Sequence, residues 1–123
     1  MADEISIATT MVVRKGYLDW TRQRSRSYSL VSSAPAKAGG IISVGTTHEA
    51  LPMGDVASAG VARLENVDAT NYIEVGVVVS GTFYPLLKLK AGECYPTRFA
   101  PAATIYVKAN TAAALLDYDL FDD

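Results

Sequence analysis

The chain has 123 residues, half of them hydrophobic and a fifth charged, which is the size and composition of one globular domain and argues against a disordered chain. Its formal net charge of −2 argues against nucleic acid as the main partner, because neutralising phosphates requires a basic surface. The single cysteine, Cys94, excludes an internal disulfide.

No segment has the pattern of a secretory signal or a membrane anchor. Acidic residues follow Met1, and the first apolar residues alternate with serine and threonine. The longest uncharged apolar run, residues 75–87, spans 13 positions and contains glycines and a proline, so it is too short to cross a bilayer. We therefore expect a soluble protein that does not bind membranes.

The first elements predicted along the chain are a strand and a row of arginines. In residues 5–13 the larger, mostly apolar side chains recur at every second position and smaller ones lie between them. This alternation predicts a strand with one buried face. Further on, Arg22, Arg24 and Arg26 share one side if the chain is extended. Such a row can grip carboxylates of a neighbouring protein or, less readily, phosphates. It can also be an exposed edge strand whose charges block pairing with other edges, and no aromatic side chains interleave with it as in nucleic-acid platforms.

Two loop-like segments surround the next strand, which is predicted over residues 41–44. Residues 32–40 consist mainly of alanine, serine, proline and glycine, and this composition predicts a flexible loop. After the strand, Leu51, Pro52 and Met53 form an apolar tip between two glycines. An exposed apolar tip predicts contact with a partner pocket.

Residues 61–110 contain four or five short apolar segments separated by turn signals, a pattern that predicts a β-meander. Within it, residues 73–79 form the clearest strand, whose second face is half apolar because of Val78. This predicts burial on both sides or an interface at Val78. Pro85 removes a backbone donor, so its strand is expected to be at a sheet edge or bulged.

The end of the chain is predicted to be a strand rather than a helix, because Leu116, Tyr118 and Leu120 alternate with acidic residues. In all, about eight short strands and almost no helical periodicity predict an all-β fold. The expected architecture is a single antiparallel β-sandwich domain over residues 1–123, jelly-roll-like, with a small β-barrel as the alternative.

No group of residues predicts catalysis, a cofactor or a metal site. His48 beside Glu49 is the one place where acid–base chemistry could start, and no second histidine or cysteine lies nearby. Cys94 is expected to be a packed thiol, since no histidine or cation flanks it. We therefore expect a protein that is not an enzyme.

Charge is distributed unevenly along the chain. Residues 1–40 carry six basic and three acidic side chains, a net charge of +3, whereas residues 41–123 carry five basic and ten acidic ones, a net charge of −5. Opposite charges on one small protein suit self-association or docking on a charged partner. A solvated surface of mixed charge is the alternative interpretation.

Several phrases in the second half of the chain resemble those of small β-proteins from tailed bacteriophage virions, which decorate or cement the capsid or lie at the neck and tail. The phrases are NVDATNYIEVG, GTFYPLLKLKAGE, IYVKA and the acidic, aromatic end LDYDLFDD. The resemblance implies a non-enzymatic virion protein, assembled in the host cytoplasm and commonly trimeric, whose partner is the major capsid protein or another virion protein. The contacts to that partner are expected at the arginine row, at residues 51–53 and at Val78.

Two other functions remain open from the sequence. One is a neck, tail or baseplate component. The other is a receptor- or carbohydrate-binding module that uses exposed aromatic side chains, for which Tyr17, Trp20, Tyr28, Tyr72 and Tyr84 are the candidates.

Overall fold

The computed structural model describes residues 4–30, 36–100 and 104–122. These residues form ten β-strands and no helix, so none of them belongs to a helix able to cross a membrane. The strands are β1 (Ile5–Lys15), β2 (Leu18–Tyr28), β3 (Lys37–Val44), β4 (Glu49–Ala50), β5 (Ala59–Asn66), β6 (Ile73–Val79), β7 (Thr82–Leu89), β8 (Cys94–Arg98), β9 (Tyr106–Ala109) and β10 (Ala114–Asp122). All the strand pairs are antiparallel, which confirms the predicted all-β class.

The chain divides into two compact units, Met1–Ser33 and Ala34–Asp123. The first contains β1 and β2, and the second contains the other eight strands. Where one sandwich domain was predicted over residues 1–123, the strands of the sandwich therefore start only at Lys37.

The first unit is a regular β-hairpin. Its strands pair in continuous register from Ile5 opposite Tyr28 to Lys15 opposite Leu18. The two-residue turn between them begins at Gly16, whose positive φ of 58° is unfavourable for residues with a Cβ atom. Eleven residues per strand make a ribbon roughly 35 Å long. The predicted buried face of the first strand is not present: only Ile5 and Ile7 of β1 are half-buried, because β1 pairs with β2 alone.

The second unit is an antiparallel β-sandwich with jelly-roll topology. Its sheets have the orders β3-β10-β5-β8 and β4-β9-β6-β7. Numbered along the unit, these orders are 1-8-3-6 and 2-7-4-5, as expected when one long antiparallel ribbon is wound into two sheets. Both sheets stay open at their edges. This confirms the predicted sandwich, and the alternative of a closed barrel is wrong.

The core lies between the inner faces of the two sheets. β10 supplies Leu116, Tyr118 and Leu120 to it, while the facing sheet supplies Ile73 and Val75 of β6. In β10 the buried and half-buried positions alternate almost perfectly, as a strand with one face toward a core requires. This confirms the predicted terminal strand.

The predicted meander over residues 61–110 is wrong in its connectivity. Of the strands in this region, only β6 and β7 are paired sequence neighbours, whereas β5 lies between β10 and β8. Turn signals mark where strands end but carry no information about which distant strand becomes the neighbour. The prediction at Pro85 is confirmed: β7 is an edge strand, and its register with β6 shifts opposite Pro85.

The flexible loop predicted over residues 32–40 is corrected in its second half. Residues 32–35 lie outside the described residues, whereas Lys37–Gly40 begin β3 and pair with β10. Gly39 and Gly40 adopt φ values of 146° and 136°. A Cβ atom on Gly39 would collide with the carbonyl oxygen of Tyr118, so the glycine here permits close strand pairing and does not mark a loop.

Candidate protein-binding surfaces

The hairpin has two faces of different chemistry, which follow from its register. Arg22, Arg24 and Arg26 lie opposite Met11, Thr9 and Ile7, so the arginines and these three residues point to the same side. The complete set on this side, called here the cationic face, is Ile5, Ile7, Thr9, Met11, Val13, Lys15, Leu18, Trp20, Arg22, Arg24, Arg26 and Tyr28.

All the unpaired positive charge of the two strands is on the cationic face. Four cations lie there without a carboxylate, whereas the opposite face carries Arg14 and Asp19 in an exposed ion pair of 3.0 Å. The remaining residues of the opposite face are short and mostly uncharged, such as Thr21, Gln23 and Ser25. The hairpin is therefore cationic and apolar on one side and nearly neutral on the other.

Large apolar side chains on the cationic face are exposed to solvent. Met11 and Leu18 are each 54% exposed, and Trp20 is 40% exposed with the Arg22 guanidinium 5.6 Å from its ring centre. In the turn, Tyr17 is fully exposed. An isolated two-stranded hairpin is at best marginally stable in water, so a surface of this kind gains stability when a partner covers it.

Trp20 and Tyr28 stand at the two ends of the arginine row, on the same side of β2. No aromatic side chain interleaves with the arginines, but these two flank the row on the same face. The signal was present in the sequence, because positions 20, 22, 24, 26 and 28 share one parity in an extended strand. What the sequence did not show was that β1 pairs with β2, which places Ile7 and Met11 alongside the arginines.

Residues 51–53 do not form the predicted contact tip. Leu51 is buried in the core at 3% exposure, and its N–H donates to the carbonyl oxygen of Ile105. Met53 packs partly against the core, and Pro52 alone is exposed. Burial of Leu51 removes the principal apolar group from the surface, so this part of the interface prediction is corrected.

Val78 lies on the outer face of β6, opposite Phe83 of β7, and is half-buried. Phe83 stacks on His48 with 5.9 Å between ring centres, and Tyr106 contacts the other side of His48 at 5.8 Å. The second face of β6 is thus partly covered by aromatic rings of its own chain. The interface proposed at Val78 stays a prediction.

An apolar cleft lies between the edge strands β7 and β8. Its volume is about 340 Å³, and its lining includes Leu86, Leu87 and Phe99. Leu86 is 71% exposed. The sequence did not predict this cleft, because β7 and β8 belong to different sheets and meet only through the winding of the sandwich.

Charged side chains gather on the outer face of the β3-β10-β5-β8 sheet, in what we call the Arg63 network. Arg63 contacts Asp119 at 2.7 Å, Glu65 at 3.0 Å and Asp117 at 3.2 Å, while Lys37 lies 3.0 Å from Asp119. Hydrogen bonds from Lys37 and Arg63 lower the pKa of Asp119, and the bond to Asp119 raises the pKa of Arg63. Three carboxylates face two cations, so the network is net negative.

Residues considered for catalysis do not come together. His48 packs against aromatic rings, and the Cys94 thiol is exposed and lies 3.9 Å from the Arg63 guanidinium. Within residues 4–30, 36–100 and 104–122, no three His, Cys, Asp or Glu side chains are grouped as a metal site would require. The exposed position of Cys94 corrects the expectation of a packed thiol.

The aromatic candidates for carbohydrate binding are divided between the two units. Tyr17, Trp20 and Tyr28 belong to the hairpin, whereas Tyr72 and Tyr84 belong to the sandwich. Tyr72 is half-buried, with the Lys88 ammonium 4.1 Å from its ring centre. The cationic face combines exposed cations with exposed apolar and aromatic side chains, which makes it the strongest candidate for a binding surface.

Neither a protein-family model nor a curated protein sequence matches this chain.

Proposed function

We propose that this protein is a non-enzymatic structural component of a tailed-bacteriophage virion, which binds the capsid and stabilises it as a decoration or cement protein. The observation that carries the proposal is the one-sided hairpin, which exposes four cations beside Met11, Leu18 and Trp20. Aromatic, methionine and arginine side chains are the types that protein interfaces enrich, and tryptophan and arginine supply many of their binding hot spots.

The jelly-roll sandwich and the phage-like phrases support the proposal in different ways. Jelly rolls occur in viral capsid proteins, but also in lectins and cupins, so the fold alone does not select a function. The phrases in residues 66–123 resemble those of virion proteins, and this resemblance favours the capsid among the functions that the fold permits.

Mechanically, the sandwich serves as a rigid body, and the hairpin is the main surface for contacts with neighbouring protein molecules in the particle. A protein that binds the assembled capsid and not its separated subunits stabilises the assembled state by mass action. If the protein is an oligomer, its copies bind the capsid together and convert modest single contacts into tight attachment. The partner in this proposal is the major capsid protein, and the location is the virion.

The test is to change the hairpin face and measure incorporation into particles. Particles of the encoding phage are prepared with the wild-type protein, with Arg22→Gln, Arg24→Gln and Arg26→Gln combined, and with Thr21→Glu, Gln23→Glu and Ser25→Glu combined. Each triple variant makes the chain three units more negative, but only the first alters the cationic face. We expect wild-type copy number for the second variant and strong loss for the first.

Heat and osmotic-shock resistance of the same particles tests the stabilising role. Particles without the protein are expected to release DNA at a lower temperature than wild-type particles. The capsid proposal would be wrong if purified heads lacked the protein, or if particles without it kept wild-type resistance to heat and osmotic shock. Immunogold labelling at the neck or tail in place of the shell would assign the protein to the alternative position.

A further inference from the structure

The cationic face needs a partner surface that carries carboxylates beside apolar groups. On the hairpin, Arg22, Arg24 and Arg26 are spaced two residues apart, which separates neighbouring guanidinium stems by roughly 7 Å along the strand. An apolar row containing Ile7 and Met11 runs beside them. The complementary surface is therefore a sheet face with acidic side chains at the same spacing.

The outer face of the β3-β10-β5-β8 sheet has this composition. Asp117 and Asp119 are two residues apart on β10, point outward and are partly exposed, with Glu65 opposite Asp117 on β5. Beside the carboxylates, Ile41 is 63% and Leu115 46% exposed. Ile41 pairs with Asp117 in the register of β3 and β10, so an exposed apolar side chain lies directly beside a carboxylate on this face.

Net charge favours contact between unlike units of two molecules. Residues 1–33 carry five basic and three acidic side chains, a net charge of +2, and residues 34–123 carry six basic and ten acidic ones, a net charge of −4. Two hairpins repel each other, and so do two sandwiches, whereas the hairpin of one molecule attracts the sandwich of another.

We propose that the partner of the cationic face is a second copy of this protein, which is bound through the outer face of its β3-β10-β5-β8 sheet. The arginines contact the Asp117 and Asp119 carboxylates, which keep acceptor capacity beyond their bonds to Arg63 and Lys37. Ile7, Met11 and Trp20 cover Ile41 and Leu115. Each molecule donates one face and offers the other, so two copies can exchange hairpins reciprocally, or several can join head to tail in a ring such as a trimer.

Nucleic acid is the competing partner for an arginine row flanked by aromatic residues. The aliphatic side chains of Ile7, Met11 and Val13 on the same face argue against it, since phosphates provide nothing for them to cover. DNA binding is accordingly one outcome of the test and not part of the proposal.

The experiment measures the mass of the purified full-length chain in solution by sedimentation velocity, over a range of concentrations and at about 0.05 M and 0.5 M salt. We expect an oligomer whose dissociation constant rises at high salt. The triple Arg22→Gln, Arg24→Gln, Arg26→Gln variant is expected to raise that constant by at least about tenfold. The equally charged Thr21→Glu, Gln23→Glu, Ser25→Glu variant, changed on the opposite face, is expected to match the wild type.

A second variant tests the sandwich surface while every residue of the Arg63 network is kept. Ile41→Lys with Leu115→Lys places two cations at exposed outer positions, and far-UV circular dichroism checks that the strands remain. We expect this variant to be monomeric. Mixed with the arginine variant, it is expected to form dimers only, because such a pair retains one intact hairpin and one intact sandwich face.

A wild-type protein that stays monomeric at every concentration overturns the inference, as does equal weakening by the two hairpin variants. Fluorescence anisotropy with labelled duplex and single-stranded DNA is measured alongside. Arginine-dependent DNA binding by a monomeric protein assigns the face to nucleic acid. These outcomes concern the purified protein alone, so they are separate from the virion-incorporation test of the proposed function.

Discussion

The phenolic hydroxyl of Tyr118 donates a 2.6 Å hydrogen bond to the carbonyl oxygen of Pro52. It ties residues 51–53 to the middle of β10 and thereby holds Leu51 in the core. Burial raises the pKa of Tyr118, so the hydroxyl keeps its proton throughout the neutral range. This bond explains why residues 51–53 pack against the core and do not form an exposed contact tip.

Removal of that hydroxyl is expected to destabilise the protein moderately. Tyr118→Phe keeps the ring in the core and loses one hydrogen bond, which costs about 1 kcal/mol in the free energy of unfolding. Urea unfolding followed by far-UV circular dichroism measures the change. Tyr84→Phe removes a hydroxyl from an exposed residue and is expected to change stability by less than about 0.5 kcal/mol. Equal effects from both variants would show that the Tyr118–Pro52 bond has no special role.

Asp122 fastens the end of β10 to two other segments. Its carboxylate accepts hydrogen bonds from the backbone N–H groups of Ala36 at 2.7 Å and Ala57 at 3.1 Å, and the residue is buried. Asp122→Asn replaces one acceptor oxygen by a donor that faces another donor, so we expect a loss of about 2 kcal/mol in unfolding free energy. Asp55→Asn, an identical change at an exposed position, serves as the control in the same urea titration. Wild-type stability of the Asp122 variant would show that the hydrogen bonds from Ala36 and Ala57 do not stabilise the fold.

Gly76 is packed against the backbone of β7 at Tyr84 and Pro85. A Cβ atom at position 76 would collide with the carbonyl oxygen of Tyr84, at the point where the register of β6 and β7 shifts. Gly76→Ala is therefore expected to lower the unfolding free energy by at least about 2 kcal/mol, since backbone must move to admit the methyl group. Gly45→Ala is the matched control, because nothing lies within 4 Å of its Cβ position. Thermal unfolding of the pair separates crowding from the general effect of adding a methyl group.

Asn66 organises the turn before β6 from a fully buried position. Its amide nitrogen donates to the carbonyl oxygens of Asn71 at 2.8 Å and Leu89 at 3.0 Å, and its amide oxygen accepts from the N–H of Asp68 at 2.9 Å. Asn66→Asp places a buried charge against two carbonyl oxygens, so we expect a loss of roughly 3 kcal/mol.

Asn71→Asp, the same substitution five residues further along the chain, is the control for Asn66→Asp. The side-chain oxygen of Asn71 accepts a bond from Thr111, which a carboxylate preserves, so Asn71→Asp is expected to cost less than about 1 kcal/mol. Denaturant unfolding at neutral pH compares the two. Similar costs would mean that the turn tolerates charge and that Asn66 is not its organiser.

The extent to which the fold could be predicted depends on how local each signal is. The strand at residues 114–122 was predictable, because its alternation records directly that one face meets a core. The order of strands was not, since pairs such as β3 with β10 join residues far apart and no local pattern names the partner.

The candidate site divides in the same way. Parity along one strand places Trp20, Arg22 and Tyr28 on a common side, so this much of the cationic face is contained in the sequence. Burial of Leu51 is not, because it depends on Ile105, just before β9, and on Tyr118 in β10, both far along the chain. The apolar cleft between β7 and β8 is likewise a product of winding, as its two walls belong to different sheets.

The stability of the sandwich is expected to depend on pH through Asp119. Hydrogen bonds from Lys37 and Arg63 lower its pKa in the folded state below the value of about 3.9 in an unfolded chain. A lowered folded-state pKa contributes stability that is present above the unfolded value and is lost as the pH falls through the folded one. Asp119→Asn lacks this contribution, so we expect it to be less stable than the wild type by about 1 kcal/mol near pH 7.

Urea unfolding of both proteins from about pH 7 down to pH 2 checks the sign, since the difference must shrink once the pH falls below roughly 4. Asp19→Asn is the control: its ion pair with Arg14 has the same 3.0 Å length, but both side chains are about 70% exposed and water screens their attraction. We expect that variant to follow the wild-type curve at every pH. A gap between wild type and Asp119→Asn that widens in acid would reverse the assignment, because it would mean that the protonated carboxyl is the form that the Arg63 network stabilises.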